Sequence, residues 1–247
     1  MSSSSSSSSV VNVAAHLDEV RESIAQVCQA SGRAVADVRL VAVSKTKPLE
    51  LVQAAYEAGQ RVFGENYAQE LVEKAEAMKE HSDDIQWHFI GSLQSNKATM
   101  LVKGVVPYGK LVIETIASLK VAKKLDSAMS EFEGQTLEVF VQINTSGEDS
   151  KSGVEPDEAI ELCQQIVKEC QHVKLKGVMT IGAPGDLSCL DALVSCRNKV
   201  AESLEMDPND IEVSMGMSDD YVEAIRKGST NIRVGSTIFG ARDYSKK

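Results

Sequence analysis

The sequence predicts a (β/α)8 barrel, and three observations carry the prediction. Between Leu40 and Gly235, short β-rich runs alternate with stretches whose apolar residues recur at helical spacing, and eight strands can be placed. The first strand leads into Ser44-Lys45-Thr46-Lys47-Pro48, not into the G-x-G-x-x-G turn that an open, doubly wound sheet would need. The length agrees, since the chain has 247 residues and such barrels take about 250.

The elements follow in order. Ser2 to Ser9 form a low-complexity run that can bury nothing, so residues 1–12 are expected to be a disordered tail and residues 13–247 a single domain. Leu17, Val20, Ile24, Val27 and Cys28 mark an amphipathic helix ahead of any strand. Leu40 to Val43 is the first strand. Pro48 suits the first turn of a helix carrying Leu49, Val52, Ala55 and Tyr56, which stops at Gly59. Val62 to Gly64 leads to a helix with Leu71, Val72, Ala75 and Met78, and Ile85 to Ile90 leads to a shorter one near Ala98 to Val102. Residues 105–116 are irregular. Val105-Val106 and Leu111-Val112-Ile113 are both strand-like, Pro107 and Gly109 interrupt them, and one strand is placed there. Leu137 to Ile143 precedes a helical face of Ala159, Ile160, Cys163, Ile166, Val167 and Cys170. Leu175 to Ile181 precedes Leu193, Cys196, Val200 and Leu204, and Ile211 to Ser214 precedes Tyr221, Val222 and Ile225, ended by Gly228. Ile232 to Gly235 is the last strand. Too few residues follow it for a closing helix, so the surplus N-terminal helix is expected to cover that side.

Composition excludes several classes. No apolar run approaches the ~20 residues needed to cross a bilayer. With 26 basic and 36 acidic residues the net charge is −10, and there is no basic cluster, which argues against nucleic acid or an anionic membrane surface as partner. The five cysteines contain no C-x-x-C pair. Cys163 and Cys170, like Cys189 and Cys196, are seven apart, the spacing of one helix face and not of a zinc knuckle, so no metal site is expected. They read as buried small hydrophobes in a reducing compartment. No secretory signal opens the chain; cytosol is the expected address, with the mitochondrion as the alternative.

In a barrel, function gathers at the C-terminal ends of the strands. Lys45 stands directly after the first strand, where a crowded, desolvated amine has the lowered pKa that Schiff-base chemistry needs. A lysine that only snorkels to solvent is the structural alternative. Lys47 abuts Pro48 at the helix start and reads as structural. Ser214-Met215-Gly216-Met217-Ser218 and Arg233-Val234-Gly235-Ser236-Thr237 end strands seven and eight, where barrels often bind phosphate. Gly216 and Gly235 admit close backbone approach, and Ser218, Ser236 and Thr237 add hydroxyls. Ser218 also fits a plain helix N-cap. A Schiff-base lysine facing a phosphate cup suggests pyridoxal 5′-phosphate (PLP). His88 alternates with large apolar residues and reads as a hydrogen-bonded barrel histidine. Glu65 is expected either to orient Lys45 or to cap a helix. Lys151 lies in a polar loop as a solvated lysine or a phosphate contact.

Seven blocks, in order, closely resemble one family: LVAVSKTKP (Leu40 to Pro48), FGENY (Phe63 to Tyr67), WHFIGSLQSNK (Trp87 to Lys97), QINTSGEDSKSG (Gln142 to Gly153), KGVMTIG (Lys176 to Gly182), SMGMSDD (Ser214 to Asp220) and IRVGSTIFGAR (Ile232 to Arg242). The chain is similar, from about residue 16 to 244, to the pyridoxal phosphate homeostasis protein family, also called the YggS or PROSC proteins. The resemblance implies a fold-type III TIM barrel like the N-terminal domain of alanine racemase, with PLP as cofactor. It implies that Lys45 forms the internal aldimine, that Asn66 lies near the cofactor, and that Arg233 faces the pyridine nitrogen. Ser218, Gly235 and Ser236 would hold the phosphate. Ser214 is counted with the cofactor-binding residues, and Met215 and Met217 would pack against the ring, if they are not core methionines. Position 236 is serine where many members have threonine, which keeps the hydroxyl.

Two functions then compete. One is a PLP-dependent amino-acid racemase or decarboxylase; the other is a protein that stores, buffers or delivers PLP. An arginine at the pyridine nitrogen weakens the ring as a carbanion sink. Related enzymes add a second, mostly β domain that supplies catalytic groups and a dimer interface, whereas this chain ends shortly after the barrel. The expectation is therefore a non-catalytic, monomeric protein of PLP homeostasis, with apo PLP-dependent enzymes as its partners.

Overall fold

The computed structural model describes the backbone of residues 4–148 and 152–241, and side chains from residue 13 onward within them. Lys151 lies outside the described residues. Eight parallel strands close into a barrel in sequence order: β1 (Arg39–Val43), β2 (Val62–Glu65), β3 (Gln86–Phe89), β4 (Lys110–Ile116), β5 (Leu137–Gln142), β6 (Val173–Met179), β7 (Glu212–Ser214) and β8 (Asn231–Val234). Closure is made where β8 pairs with β1, Arg39 opposite Asn231 through Ala42 opposite Val234. Helices α2 (Leu49–Glu57), α3 (Ala68–Ala77), α4 (Ser95–Val105), α5 (Leu119–Met129), α6 (Pro156–Glu169), α7 (Ser188–Ser203) and α8 (Tyr221–Arg226) connect them.

Helix α1 (Ser4–Ala30) extends further than its apolar spacing predicts. The run expected to be a disordered tail is helical backbone from Ser4 onward, because serine of middling helix propensity can prolong a helix already formed. Its buried face begins at Val13 and continues through Leu17, Val20, Ile24 and Cys28. That face docks on α2, α8 and a short helix α9 (Ser236–Phe239). Arg33 Nη1 donates to the Ile225 carbonyl (2.7 Å), Arg21 Nη1 to that of Ala58 (2.7 Å), and the Tyr221 hydroxyl to Ser23 Oγ (2.9 Å). The N-terminal helix thus covers the last side of the ring, as expected. A single turn, α9, does fit just after β8.

The irregular stretch resolves simply. Val105 ends α4, Val106–Tyr108 form a 3-10 turn, and the strand is the second candidate, extended to Ile116. Gly109 is required between them, since a Cβ there would stand 2.8 Å from Ile85 Cγ2. Helix α5 escaped the sequence reading, although Ser118 caps it and Val121, Ala122, Leu125, Ala128 and Met129 form its buried face.

The main core lies between strands and helices, around Phe63, Trp87, Phe89, Ile113 and Ile116. The barrel interior is different. A small apolar cluster of Val112, Phe140 and Met179 sits apart from that core, and buried polar side chains fill much of the rest: His88, Glu114, Ser214, Asn231 and Arg233. At the N-terminal ends of the strands an ionic chain links Lys110 to Glu138 (2.6 Å), Lys176 to Glu138 and Glu212, and Arg39 to Glu212 (2.5 Å).

Candidate functional site

A cavity of about 500 Å³ opens at the C-terminal ends of β1, β7 and β8. That volume is typical of small-molecule sites. Six of the sequence-predicted residues line it: Lys45, Met217, Ser218, Arg233, Gly235 and Ser236. Lys47, Val43 and Asp219 complete the nearer wall.

Each position follows from the strands beneath. Val43, the last residue of β1, pairs with Gly64 of β2, so the half-buried Lys45 leaves the rim just beyond. Gly235 follows β8 directly and lies against β1. A Cβ there would stand 3.2 Å from both Val43 Cβ and the Val43 carbonyl oxygen, so any larger residue makes Val43 yield by a few tenths of an ångström. The Gly235 N–H donates to Ser218 Oγ (3.3 Å), which joins the two loops expected to hold an anion. Ser218 is therefore not an N-cap; Asp220 is, and its carboxylate accepts from the Met217 N–H (2.6 Å). Behind it, Ser236 opens α9, whose first N–H groups have no acceptor within the helix.

Arg233 forms the floor. It is 4% exposed, and both ends of its fork are held: Nη1 donates to Ser214 Oγ (2.6 Å) and Nη2 to the Thr180 carbonyl (2.7 Å). Burial lowers its pKa, opposed by the charges of Glu114 and Asp220, and a guanidinium stays protonated under such conditions. Ser214 does not reach the cavity wall. It is fully buried and relays Arg233 to Glu114, donating to Oε2 at 2.5 Å. Glu114 also accepts from Asn231 Nδ2 (2.8 Å) and from His88 Nδ1, while Gln86 Nε2 lies 3.0 Å from His88 Nε2. Burial by itself would raise the Glu114 carboxyl. Hydrogen bonds and charge from His88, Arg233 and Ser214 outweigh it and bring the pKa down to about 2. His88 is thus the hydrogen-bonded barrel histidine that the alternation implies.

Other expectations separate. Met217 faces the cavity, while Met215 is fully buried in the core. Asn66 stands beside the cavity and not in its wall. Its Oδ1 is buried without a partner, an acceptor open to a donor, and its carbonyl oxygen would be 1.9 Å from a Cβ at Gly91. Lys47 Nζ donates to the Gly240 and Ala241 carbonyls (2.9 and 2.7 Å), which ties the chain after α9 to the β1 loop. Thr237 is exposed and outside the wall. Glu65 neither orients Lys45 directly nor caps α3. It accepts from the Ser44 hydroxyl (2.6 Å) and from Lys74 Nζ (2.7 Å), because it points from the end of β2 into the space between β1 and α3. Burial pushes its carboxyl up to about 7, against the pull of Lys74 and Ser44.

Sequence reasoning missed Glu114, Asn231 and Lys74. Glu114 had a signal: a lone acid inside Leu111-Val112-Ile113-Glu114-Thr115-Ile116 must find partners or unfold its strand.

A closed parallel barrel with a lysine just beyond its first strand and a glycine- and serine-lined cavity rim at its last two belongs to a class of cofactor-binding barrels. The family model for the alanine racemase N-terminal domain matches residues 3–243. The chain is 47% identical over 218 residues to the pyridoxal phosphate homeostasis protein of Homo sapiens, covering 85% of this chain and 78% of that one. It is 43% identical over 239 residues to the protein of that name from Caenorhabditis elegans, covering 94% and 96%. The structure of PipY from Synechococcus elongatus PCC7942 with PLP bound superposes with a TM-score of 0.74 at 30% identity, over 92% of this chain and 100% of that one. The chain belongs to the pyridoxal phosphate homeostasis protein family.

Proposed function

We propose that this chain binds PLP in the 500 Å³ cavity and serves its homeostasis as a store, buffer or carrier. One observation carries the reading: Lys45, the buried Arg233 and the Ser218–Gly235 cradle line a single cavity. The residues fit the group. The cradle that a Cβ at Gly235 would crowd, with the Ser218 and Ser236 hydroxyls, suits a phosphate. Lys45 would supply an amine for the aldehyde, and Arg233 would present a positive charge to the ring nitrogen. Asn66 Oδ1 offers an unused acceptor. PLP bound here would supply an electrophilic carbonyl and a conjugated ring.

Against a decarboxylase, but not by itself against a racemase (alanine racemase uses such an arginine too), the carrier reading is supported by Arg233. Its fork is locked onto Ser214 and Thr180 and keeps a cation, not an acid, below the site. Relatives named for homeostasis point the same way. We place the protein in the cytosol as a monomer that hands PLP to apo PLP-dependent enzymes. The test is an absorbance scan of the purified chain with PLP, borohydride reduction and peptide mapping. A visible band that bleaches, with a pyridoxyl mass on the Lys45 peptide, is expected; a mass on another lysine would defeat the assignment. Transfer to an apoenzyme without turnover of free amino acids separates carrier from enzyme.

A further inference from the structure

Lys74 is 6% exposed on α3, and nothing in the cofactor reading uses it. All three of its ammonium protons are engaged: on the Ser44 carbonyl (2.8 Å), on Glu65 Oε1 (2.7 Å) and on Glu70 Oε1 (2.7 Å). Both carboxylates also hold the β1 loop. Glu65 accepts from the Ser44 hydroxyl (2.6 Å), and Glu70 accepts from the Thr46 N–H (2.7 Å). Lys45 is therefore bracketed, its predecessor held by carbonyl and hydroxyl and its successor by the amide.

The loop itself is a tight turn, closed by the Lys47 N–H on the Ser44 carbonyl (3.0 Å), with Lys45 and Thr46 at its centre. Thr46 has φ +62°, and a positive φ is what the third position of a type II turn requires. Glycine takes that conformation readily, whereas a β-branched residue rarely does. Type I and type II turns differ by a flip of the central peptide, here Lys45–Thr46, so an acceptor for the Thr46 N–H selects between them. Glu70 is that acceptor, and strain of this kind persists only where surroundings over-determine it.

We propose that Lys74, with Glu65 and Glu70, is a positioning clamp that presets the Ser44–Lys47 turn so that Lys45 presents its amine to an aldehyde ligand. The inference rests on the PLP reading above and deepens it. In the step it serves, neutral Lys45 Nζ bonds to the aldehyde carbon, the two amine protons leave with the aldehyde oxygen as water, and a carbon–nitrogen double bond remains. The clamp touches none of the reacting atoms.

The test uses the full chain and two ligands, PLP and pyridoxine 5′-phosphate, whose alcohol cannot form the link. Glu70→Ala is the variant, since the Glu70 side chain is 23% exposed and its loss leaves the core intact. It should slow borohydride-trappable capture at Lys45 about tenfold or more, the usual scale of a lost orientation, while pyridoxine 5′-phosphate affinity stays within about twofold. Adding Thr46→Gly, which favours the positive φ without help, should restore capture; Glu70→Gln, which keeps an acceptor, should retain it. Equal losses for both ligands, unchanged capture in Glu70→Ala, or no recovery with Thr46→Gly would each overturn the clamp. Failure of the unmutated chain to trap Lys45 would instead sink the PLP reading, and the clamp with it.

Discussion

Two buried carboxylates set opposite demands at the scale of single residues. Glu114 is held at about 2 against an ordinary 4.5, so its contribution is present above pH 4.5 and lost as pH falls toward 2. Glu65 is pushed up to about 7, so the fold carries it without penalty below pH 4.5 and loses stability as pH rises from 4.5 to 7, with no further loss above that. Glu114→Gln should cost roughly 3 kcal/mol at pH 7, because it takes from the buried Arg233 the larger of its two counter-charges, and should flatten the acid limb of the stability curve. Glu65→Gln should flatten the decline between pH 4.5 and 7 instead. Denaturant midpoints across pH read both; an acid limb unaltered by Glu114→Gln would refute the first. Three buried thiols make no such demand. Burial pushes the Cys163 thiol up to about 12 and those of Cys170 and Cys196 up to about 11, consistent with cysteines used as small core residues.

The elements that build the site are held by close backbone approaches. After β7 the chain turns at Gly216, φ +94°, to send α8 back over the barrel, and the Gly216 carbonyl accepts from the Arg233 N–H (2.9 Å). A Cβ there would stand 2.5 Å from Ala224 Cβ and 3.0 Å from Tyr221 Cα. Gly216→Ala should therefore destabilise the fold by roughly 1–3 kcal/mol. It should also weaken ligand binding, since Met217 and Ser218 follow directly. A thermal midpoint unchanged from the parent would contradict this. At β8 the crowding is milder. Gly235→Ala should leave the midpoint nearly unchanged and weaken phosphate-bearing ligands, because Val43 must yield only a few tenths of an ångström.

For the whole molecule, the barrel separates support from function. The apolar core between sheet and helices and the ionic chain at the N-terminal ends hold the cylinder, and the cavity sits at the other end. Lys45→Ala should consequently abolish covalent capture of PLP with the melting temperature shifted by no more than a few degrees. A large loss of stability would show that the β1 loop also supports the barrel.

The order of strands, the barrel and six residues of the cavity wall were legible because each leaves a local mark: hydrophobic period, turn residues, a lysine or glycine at a strand end. Residues 105–116 were half legible, since two strand-like runs compete there and only the pairing of β4 with β3 selects the second. Helix α5 carried its capping serine and its periodicity, and was readable in principle. What the sequence left open are the partners of buried charges. Glu114 meets His88 across one strand boundary, Ser214 a hundred residues on, and Asn231 and Arg233 beyond that, and Lys74 reaches back thirty residues to Ser44. Such contacts have no local signature. They exist because closing the barrel brings distant strands to one axis, where a charge out of water must be matched by whatever that closure places beside it.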